Sequence, residues 1–484
     1  MSPKTLDRRR FLIGASSVAI GACAEGGTIA PSPTPAADDD DDAGDDDDSA
    51  PPLDDDDVTD DDDSAPPDPD PVGGPEPDPW QAPGFYDDQN FAWGVQAGDV
   101  TPTTVLLGTR TLLGAVELVL MLGTDDGWLE VQRVPDLPTL DAFARVEVTD
   151  LLPDHTYSYA FYSSPGVRSR VGRFRTAIAE DGDLRPVVFG ATSCLGGQGR
   201  PWPCLTRASE ENLDAFLLLG DMVYADGDVT AEEYRATWRE ALETEGLQDL
   251  MASTSVIATW DDHEVDNNWS YDAHGDRVDA ALQTFLEAIP SREGPGGTGL
   301  WRALRWGGVV DFFVLDCRGE RGGDEYISRA QMDWIKAELA ASTARFKIIL
   351  NSVPITDMED FIGQISVDDR WSGYPEQREE LLQFIDDAQI EGLLWITGDF
   401  HWGAATRVGK KFPFLAGQQW EILAGPAGSF INPIAWVTQT NDQLHRVVGQ
   451  FNYTWFHADP ATGMVEVAFV GDDGATITSI TLEL

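Results

Sequence analysis

The 484-residue chain is predicted to be an α/β protein, a mixed body preceded by a smaller all-β domain. Three observations predict this. From about 185 to 484, apolar runs of strand length alternate with helix-length patterns. Between 84 and 178, period-two alternation recurs between turn residues. Ahead of both, residues 24–83 carry few side chains able to enter a core. The charge follows the same division. Net charge is −53, from 32 Lys+Arg against 85 Asp+Glu. Residues 1–37 carry +2 and residues 38–80, with 20 Asp, one Glu and no base, carry −21, which leaves −34 on 81–484. So acidic a chain repels phosphate backbones, which argues against a nucleic-acid partner. It suits an exported soluble protein or one that gathers cations.

The N-terminus reads as an address. Arg8-Arg9-Arg10-Phe11-Leu12-Ile13 opens an apolar run ending near Ala22. The run is shorter than the roughly 20 residues that a membrane-spanning helix needs. Basic residues ahead of a short apolar stretch make an export signal. The arginine pair followed by Phe-Leu resembles a twin-arginine signal, whose export machinery moves folded proteins. Ile20-Gly21-Ala22-Cys23 resembles a lipobox, in which Cys23 is lipidated and becomes the new N-terminus. Plain cleavage with Cys23 discarded is the other reading. Residues 1–23 are thus the expected lipoprotein signal, and the expected location is periplasmic or cell-surface, anchored to a membrane by lipid. Residues 24–83 are expected to be an extended, disordered Asp/Pro-rich linker, because adjacent like charges repel and there is little to pack. The unit Asp45 to Pro52 recurs as Asp60 to Pro67. Nothing there fixes an ion's geometry, so diffuse counterion attraction is favoured over specific calcium binding.

Across 84–178, alternation is visible at 103–109, 116–120, 143–148, 157–162 and 170–174, at the spacing of a β-sandwich. Leu151-Leu-Pro-Asp-His-Thr-Tyr157 resembles the corner loop of a fibronectin type III-like domain, with His155 a solvated turn residue.

In the body, 185–484, strands are predicted at 186–192, 216–220, 254–260, 309–315, 346–351 and 393–397, and again within 448–484. Helices are predicted at 230–245, 278–289, 328–342 and 375–388. Thr230-Ala-Glu-Glu233 and Ser328-Arg-Ala-Gln331 have the form of capping boxes. Metal-capable side chains stand at the strand ends: Cys194; Asp221 and Tyr224; Asp261, Asp262 and His263; Asp399 and His401. Ligand sites of α/β folds gather at the carboxyl ends of strands. Each residue alone has a plainer reading. Asp after a strand forms turns, Tyr224 could pack in a core, and Cys194 could pair with Cys204 in an exported protein. Four such ends together are hard to attribute to coincidence. The two-residue spacing of Asp399 and His401 points both side chains the same way if the chain is extended. No Gly-x-Ser-x-Gly elbow occurs, which lowers a serine-hydrolase reading. The Gly-rich 294–299 lacks a following Lys-Ser/Thr and reads as a connector. His274, His445 and His457 lack ligand-spaced companions.

Phe91-Ala-Trp-Gly-Val-Gln-Ala-Gly-Asp-Val-Thr-Pro resembles the opening of PhoD-type alkaline phosphatases. Ala191-Thr-Ser-Cys194, Gly220-Asp-Met-Val-Tyr224, Trp260-Asp-Asp-His-Glu264, Leu315-Asp-Cys-Arg318 and Thr397-Gly-Asp-Phe-His401 follow in that family's order. The resemblance covers roughly 85–480. It implies a calcineurin-like metallophosphatase fold, similar to purple acid phosphatases, with four layers in which a β-sandwich is flanked by helices. Ahead of it stands the family's N-terminal fibronectin III-like β-sandwich domain, 84–178. It also implies Fe(III) on Cys194, Tyr224, Asp221 and His401. Asp221 would bridge to a second ion, Ca(II), held by Asp262 and Asp399 with Asn267, although other divalent metals fit the same donors. Soft thiolate and phenolate suit iron, and hard oxygens suit calcium. Two metals can clamp a phosphoryl group and generate hydroxide near neutral pH. His263 is then the candidate to bind phosphate or protonate the leaving oxygen, and Arg318 the candidate bidentate phosphate clamp.

Two features depart from the family. Leu195 stands where the family has Gln after the metal-binding Cys, and 476–484 reads as a strand where some members close with a helix over the site. Cys317 could pair with Cys204, leaving Cys194 free for metal. The expected function is an exported metal-dependent phosphoesterase, hydrolysing phosphomonoesters, phosphodiesters or both by a metal-activated hydroxide without a covalent intermediate. The rivals are a surface lipoprotein that binds through a decayed phosphatase scaffold, and a phosphodiesterase of phospholipid head groups.

Overall fold

The computed structural model describes residues 77–484, apart from 141, 165, 296, 298, 358–366, 410–418 and 439. The expected signal, and the expected linker up to residue 76, lie outside the described residues. Residues 77–83, at the linker's predicted end, are instead laid against the first β layer. Trp128 donates to the Asp78 carbonyl at 2.7 Å and Arg168 to that of Ala82 at 3.2 Å.

Two sheets build the body. Among the described residues, the first runs in the order Thr476–Glu483, Met464–Gly471, Asn452–Asp459, Val187–Thr192, Ala215–Leu219, Ser255–Thr259, Val95–Gly98, Val105–Arg110 and Phe143–Val148. The second runs Arg302–Trp306, Val310–Val314, Phe346–Asn351, Leu393–Thr397, Trp420–Leu423, Gly403–Arg407 and Leu444–Val448. Alternate residues explain the stacking. Phe189, Leu217 and Ile257 of the first sheet meet Phe312, Ile348 and Ile396 of the second in one buried cluster. Their neighbours Phe216, Leu218, Val256 and Ala258 turn the other way, onto Tyr234, Trp238, Leu247, Leu250 and Phe285. Those side chains belong to the helices Ala231–Leu242, Glu245–Ser253 and Tyr271–Ala288. Beyond the second sheet, Phe313, Ile349 and Trp395 pack on the helices Arg329–Ala341 and Pro375–Asp387. The order helix, sheet, sheet, helix is the expected four-layer arrangement. It explains the near-continuous apolar runs, since strands covered on both faces show no alternation.

All six predicted body strands form within a residue or two of their expected ends, and so do the four helices, apart from an earlier start at Tyr271 and an end at Leu242, three residues before the expected 245. Thr230 and Glu233 make the reciprocal capping box. At Ser328 only half of it forms. The Ser328 hydroxyl accepts from the Gln331 backbone, but the Gln331 amide is diverted to the Asp316 backbone. The helices Pro203–Ser209 and Glu245–Ser253 were not predicted; they are short, and the first starts at Pro203 after an αL Trp202.

The β layers at the N-terminal side are not separate from the body. Strands Phe85–Tyr86, Val167–Arg168, Thr156–Ser164, Val116–Thr124 and Gly127–Leu137, with Gly172–Arg175, make a six-stranded sheet. Its Leu118, Leu120, Tyr159 and Phe161 pack on Val95, Val105, Leu107 and Val148. The latter belong to the nine-stranded sheet, because Val95–Gly98 pairs in parallel with Ser255–Thr259. One sheet therefore runs from the first layers into the body. The corner expected at 151–157 forms, with the Leu152 backbone donating to Tyr157 Oη at 2.7 Å.

A buried ion pair fastens this junction. Asp99 follows the strand Val95–Gly98, and Arg302 donates to both of its oxygens at 2.7 Å. Both side chains are buried. Asp99→Ala would leave the guanidinium uncompensated, at a cost of about 3–5 kcal/mol. Chemical denaturation checks this, and a loss below about 1 kcal/mol would show that the pair does not hold the junction.

Among the described residues, no helix is long and apolar enough to cross a membrane. Cys194, Cys204 and Cys317 are all unpaired and buried, so neither suggested disulfide forms. Cys317 donates instead to Asn351 Oδ1 at 2.9 Å, and Cys204 lies on the helix Pro203–Ser209.

Candidate metal centre

The parallel strands Val187–Thr192, Ala215–Leu219 and Ser255–Thr259 end side by side, and Leu393–Thr397 ends opposite them on the second sheet. Glycines let these ends close up. A Cβ on Gly398 would stand 2.7 Å from the Ser193 Cβ, and one on Gly220, whose φ is +94°, would stand 2.4 Å from the Asp261 Cβ. The chain then turns sharply to aim its side chains. Cys194, Asp221, Asp399 and His401 have φ of +58°, +56°, +67° and +55°. Non-glycine residues adopt this region at a cost of about 1–3 kcal/mol each, and such strain concentrates at functional sites. This also corrects the extended-chain argument for Asp399 and His401. The strand ends at Thr397, and two left-handed residues bring those side chains to the cleft, with Phe400 between them packed into a separate apolar cluster.

The donor atoms converge. One ligand atom each from Cys194, Asp221 and His401 lie within 4.8 Å of one another, and so do those of Asp221, Asp262 and His263. Asp221 is common to both groups. The Cys194 thiol stands 3.5 Å from Asp221 Oδ2, and His401 Nε2 is 3.3 Å from Tyr224 Oη. Cys194 and Asp221 are buried. Asp221, Asp262, His263, Asn267, Asp399 and His401 line one cleft of about 250 Å³. Two larger clefts, of about 620 and 680 Å³, carry no such donor cluster among the described residues.

The electrostatics call for cations. Burial, then the carboxylates of Asp262, Asp261, Glu264 and Asp399, push Asp221 well above the usual range. Asp399 is raised likewise by burial and by Asp261 and Asp369. Burial and then Asp221 hold the Cys194 thiol neutral. His401 falls to about 4, through burial and His263, so its imidazole is neutral and able to donate a lone pair. Buried Asp262 Oδ1 and Asp261 Oδ2 have no hydrogen-bond partner among the described residues. Like charges packed this closely, with orphaned oxygens, fit polyvalent cations. Thiolate, phenolate and imidazole on one side and carboxylates on the other fit a softer and a harder ion.

The residues that frame these donors were not singled out from the sequence. Glu264 accepts from the backbone of Asp221 (3.1 Å), Met222 (2.7 Å) and Asp261 (2.8 Å), locking two ligand loops together. It lies inside the Trp260–Glu264 motif, so its position was visible but its role was not. Glu264→Gln keeps the size and loses an acceptor. It is expected to lower metal affinity about 10–100-fold, as other supporting residues of metal sites do, and metal titration of the apoprotein checks this. Asp226 holds His263 Nδ1 at 2.8 Å and accepts from the Asn267 backbone at 2.8 Å. Burial alone would lower His263, but the Asp226 hydrogen bond and the nearby carboxylates outweigh it and raise it to about 9.

The clamp role expected of Arg318 does not hold. Arg318 is fully buried. Its Nε donates to Asp261 at 2.6 Å, and its terminal nitrogens bind Asp369. It neutralises the floor of the site and does not face the cleft. The arginine on the cleft wall is Arg370, beside Asn268 and Asn432. Leu195, expected to alter polar support near the iron, is buried in the core behind the site.

A strand-end donor cluster on a helix-flanked double sheet defines a protein of the metallophosphatase fold. The chain belongs to the PhoD-like phosphatase family, a family of hydrolases. That family's profile matches residues 189–471, and the profile of its N-terminal domain matches 81–178. Alkaline phosphatase D of Bacillus subtilis (strain 168) is 26% identical over 386 residues, which span 66% of this chain and 66% of that protein. A solved structure of PhoD superposes with a TM-score of 0.70 at 22% identity, covering 83% of this chain and 90% of that one. Purple acid phosphatase from yellow lupin (Lupinus luteus) seeds gives a TM-score of 0.58 at 14% identity, covering 81% and 73%. These likenesses establish the fold that the sequence resemblance implied.

Proposed function

We propose that the protein is an exported, metal-dependent phosphoesterase that hydrolyses phosphomonoesters, phosphodiesters or both without a covalent enzyme intermediate. The observation that carries this is the sharing of Asp221 by two donor groups at one cleft. Cys194, Tyr224, Asp221 and His401 would hold Fe(III); Asp221, Asp262, Asp399 and Asn267 would hold Ca(II). Bound there, the two cations would supply charge neutralisation on the phosphoryl oxygens and activation of the attacking water. The chain's own residues do the rest. His263, fixed by Asp226, presents Nε2 as a proton donor to the leaving oxygen. Arg370, on the wall, meets phosphoryl charge.

Metal-replete protein is expected to turn over p-nitrophenyl phosphate, bis-p-nitrophenyl phosphate or both, and to lose that activity on chelation. Failure on both substrates would sink the reading. A binding lipoprotein on a decayed scaffold would hold no stoichiometric metal, which elemental analysis measures. The division into a signal at 1–23, a linker, β layers at 84–178 and a catalytic body at 185–484 belongs to the same proposal. So does lipid anchoring at the periplasmic or cell surface. The arginines of Arg8-Arg9-Arg10-Phe11-Leu12 and the Ile20-to-Cys23 motif support it. Replacing Arg8, Arg9 and Arg10 by Lys should block export, and Cys23→Ala should abolish incorporation of labelled fatty acid.

A further inference from the structure

The cleft is lined by polar and apolar groups together. Arg370, Asn267 and Asn268 line it with the exposed Phe430 and the largely buried Phe400. Phe430 leaves 56% of its surface bare, yet it lies edge-on to His401 with ring centroids 4.4 Å apart. Its segment is fastened on both sides to candidate ligand loops. The Ser429 backbone donates to the Cys194 carbonyl at 2.8 Å, and that of Asn432 to the His401 carbonyl at 3.0 Å. Phe430 is therefore held at the cleft by the same loops that aim the donors. Further along the same segment, two more apolar side chains are exposed. Trp436 and Val437, on the short helix Ile434–Val437, are 66% and 78% exposed. Trp436 is not a loose side chain, since its indole donates to the Gly449 carbonyl at 3.0 Å. A Cβ on Gly449 would stand 2.7 Å from that ring, so the glycine makes room for it. Of these exposed apolar side chains Phe430 is the one that lines the cleft, where it offers an apolar surface to the group that leaves the phosphorus.

The geometry points to Phe430 as a specificity-determining residue that favours phosphate esters with a bulky apolar alcohol as leaving group. This rests on the hydrolase reading above and names its substrate class. A binding surface that meets the departing group and leaves the phosphoryl group alone acts through KM more than kcat.

Ethyl and octyl phosphate test it, because their leaving oxygens have nearly the same basicity and differ in apolar body. The metal-replete wild type is expected to prefer octyl phosphate by about tenfold or more in kcat/KM, the scale that apolar pockets reach. In Phe430→Ala the preference should fall several-fold through a higher KM for the octyl ester, while Phe430→Trp should keep it. Equal kcat/KM for both esters in the wild type would overturn the inference. So would an unchanged preference in Phe430→Ala, or a fall confined to kcat and equal for both esters, which would mean that Phe430 only steadies His401. Turnover of neither ester or of any aryl phosphate would overturn the hydrolase reading itself, and this inference with it. Turnover without preference overturns the inference alone.

Discussion

Asp221→Ala is expected to abolish activity and remove metal from both positions at once. Among the described residues Asp221 alone belongs to both donor groups, and its carboxylate is buried among Asp262, Asp261, Glu264 and Asp399. Loss of one cation costs several kcal/mol of charge stabilisation in the transition state. At 1.36 kcal/mol per decade, even about 4 kcal/mol lowers kcat about 10³-fold. Elemental analysis and turnover are measured on the same preparation. A variant that kept both ions would end the bridging assignment, whatever its rate. Cys194→Ser makes the useful contrast. It removes the thiolate and leaves Asp221, Asp262, Asp399 and Asn267 in place, so the ion on Cys194 should be lost and the other kept.

The second large effect is at His263. His263→Ala is expected to lower kcat about 10²–10³-fold on alkyl phosphates, the range of a lost proton donor. It should matter much less on p-nitrophenyl phosphate, whose leaving oxygen departs without help. Asp226→Asn should show the same dependence on leaving group at smaller size, because His263 remains but its hydrogen bond at 2.8 Å is weakened. Equal losses on both kinds of ester would place His263 in phosphate binding instead.

Much of this centre could be read from the sequence for a definite reason. Its donors are chemically unusual residues at the ends of apolar runs, and such runs have few structural alternatives once both faces must be covered. Cys194, Asp221, Tyr224, Asp262 and His401 were all placed that way. Arg318 failed for an equally definite reason. An arginine beside acidic motifs reads the same whether it faces substrate or neutralises buried Asp261 and Asp369, and its burial is decided by Asp369, distant in sequence. Glu264 and Asp226 act through backbone amides and a ring nitrogen, contacts that leave no residue-type pattern. Phe430 is an aromatic in a loop, which in sequence cannot be told from core. The pairing of Val95–Gly98 with Ser255–Thr259 was also hidden, because it joins strands some 160 residues apart with nothing local to mark it.

That pairing has a consequence for how the protein comes apart. Cutting the chain near residue 180 would strip Val95–Gly98 from the edge of Ser255–Thr259 and leave the amides of Val256 and its neighbours without their ladder. It would also remove the cover from Ala252 and strand Arg302 without Asp99. Residues 81–178 and 189–471 are therefore expected to unfold as one cooperative unit. Heating should give a single calorimetric transition for both, and neither half expressed alone should resist protease.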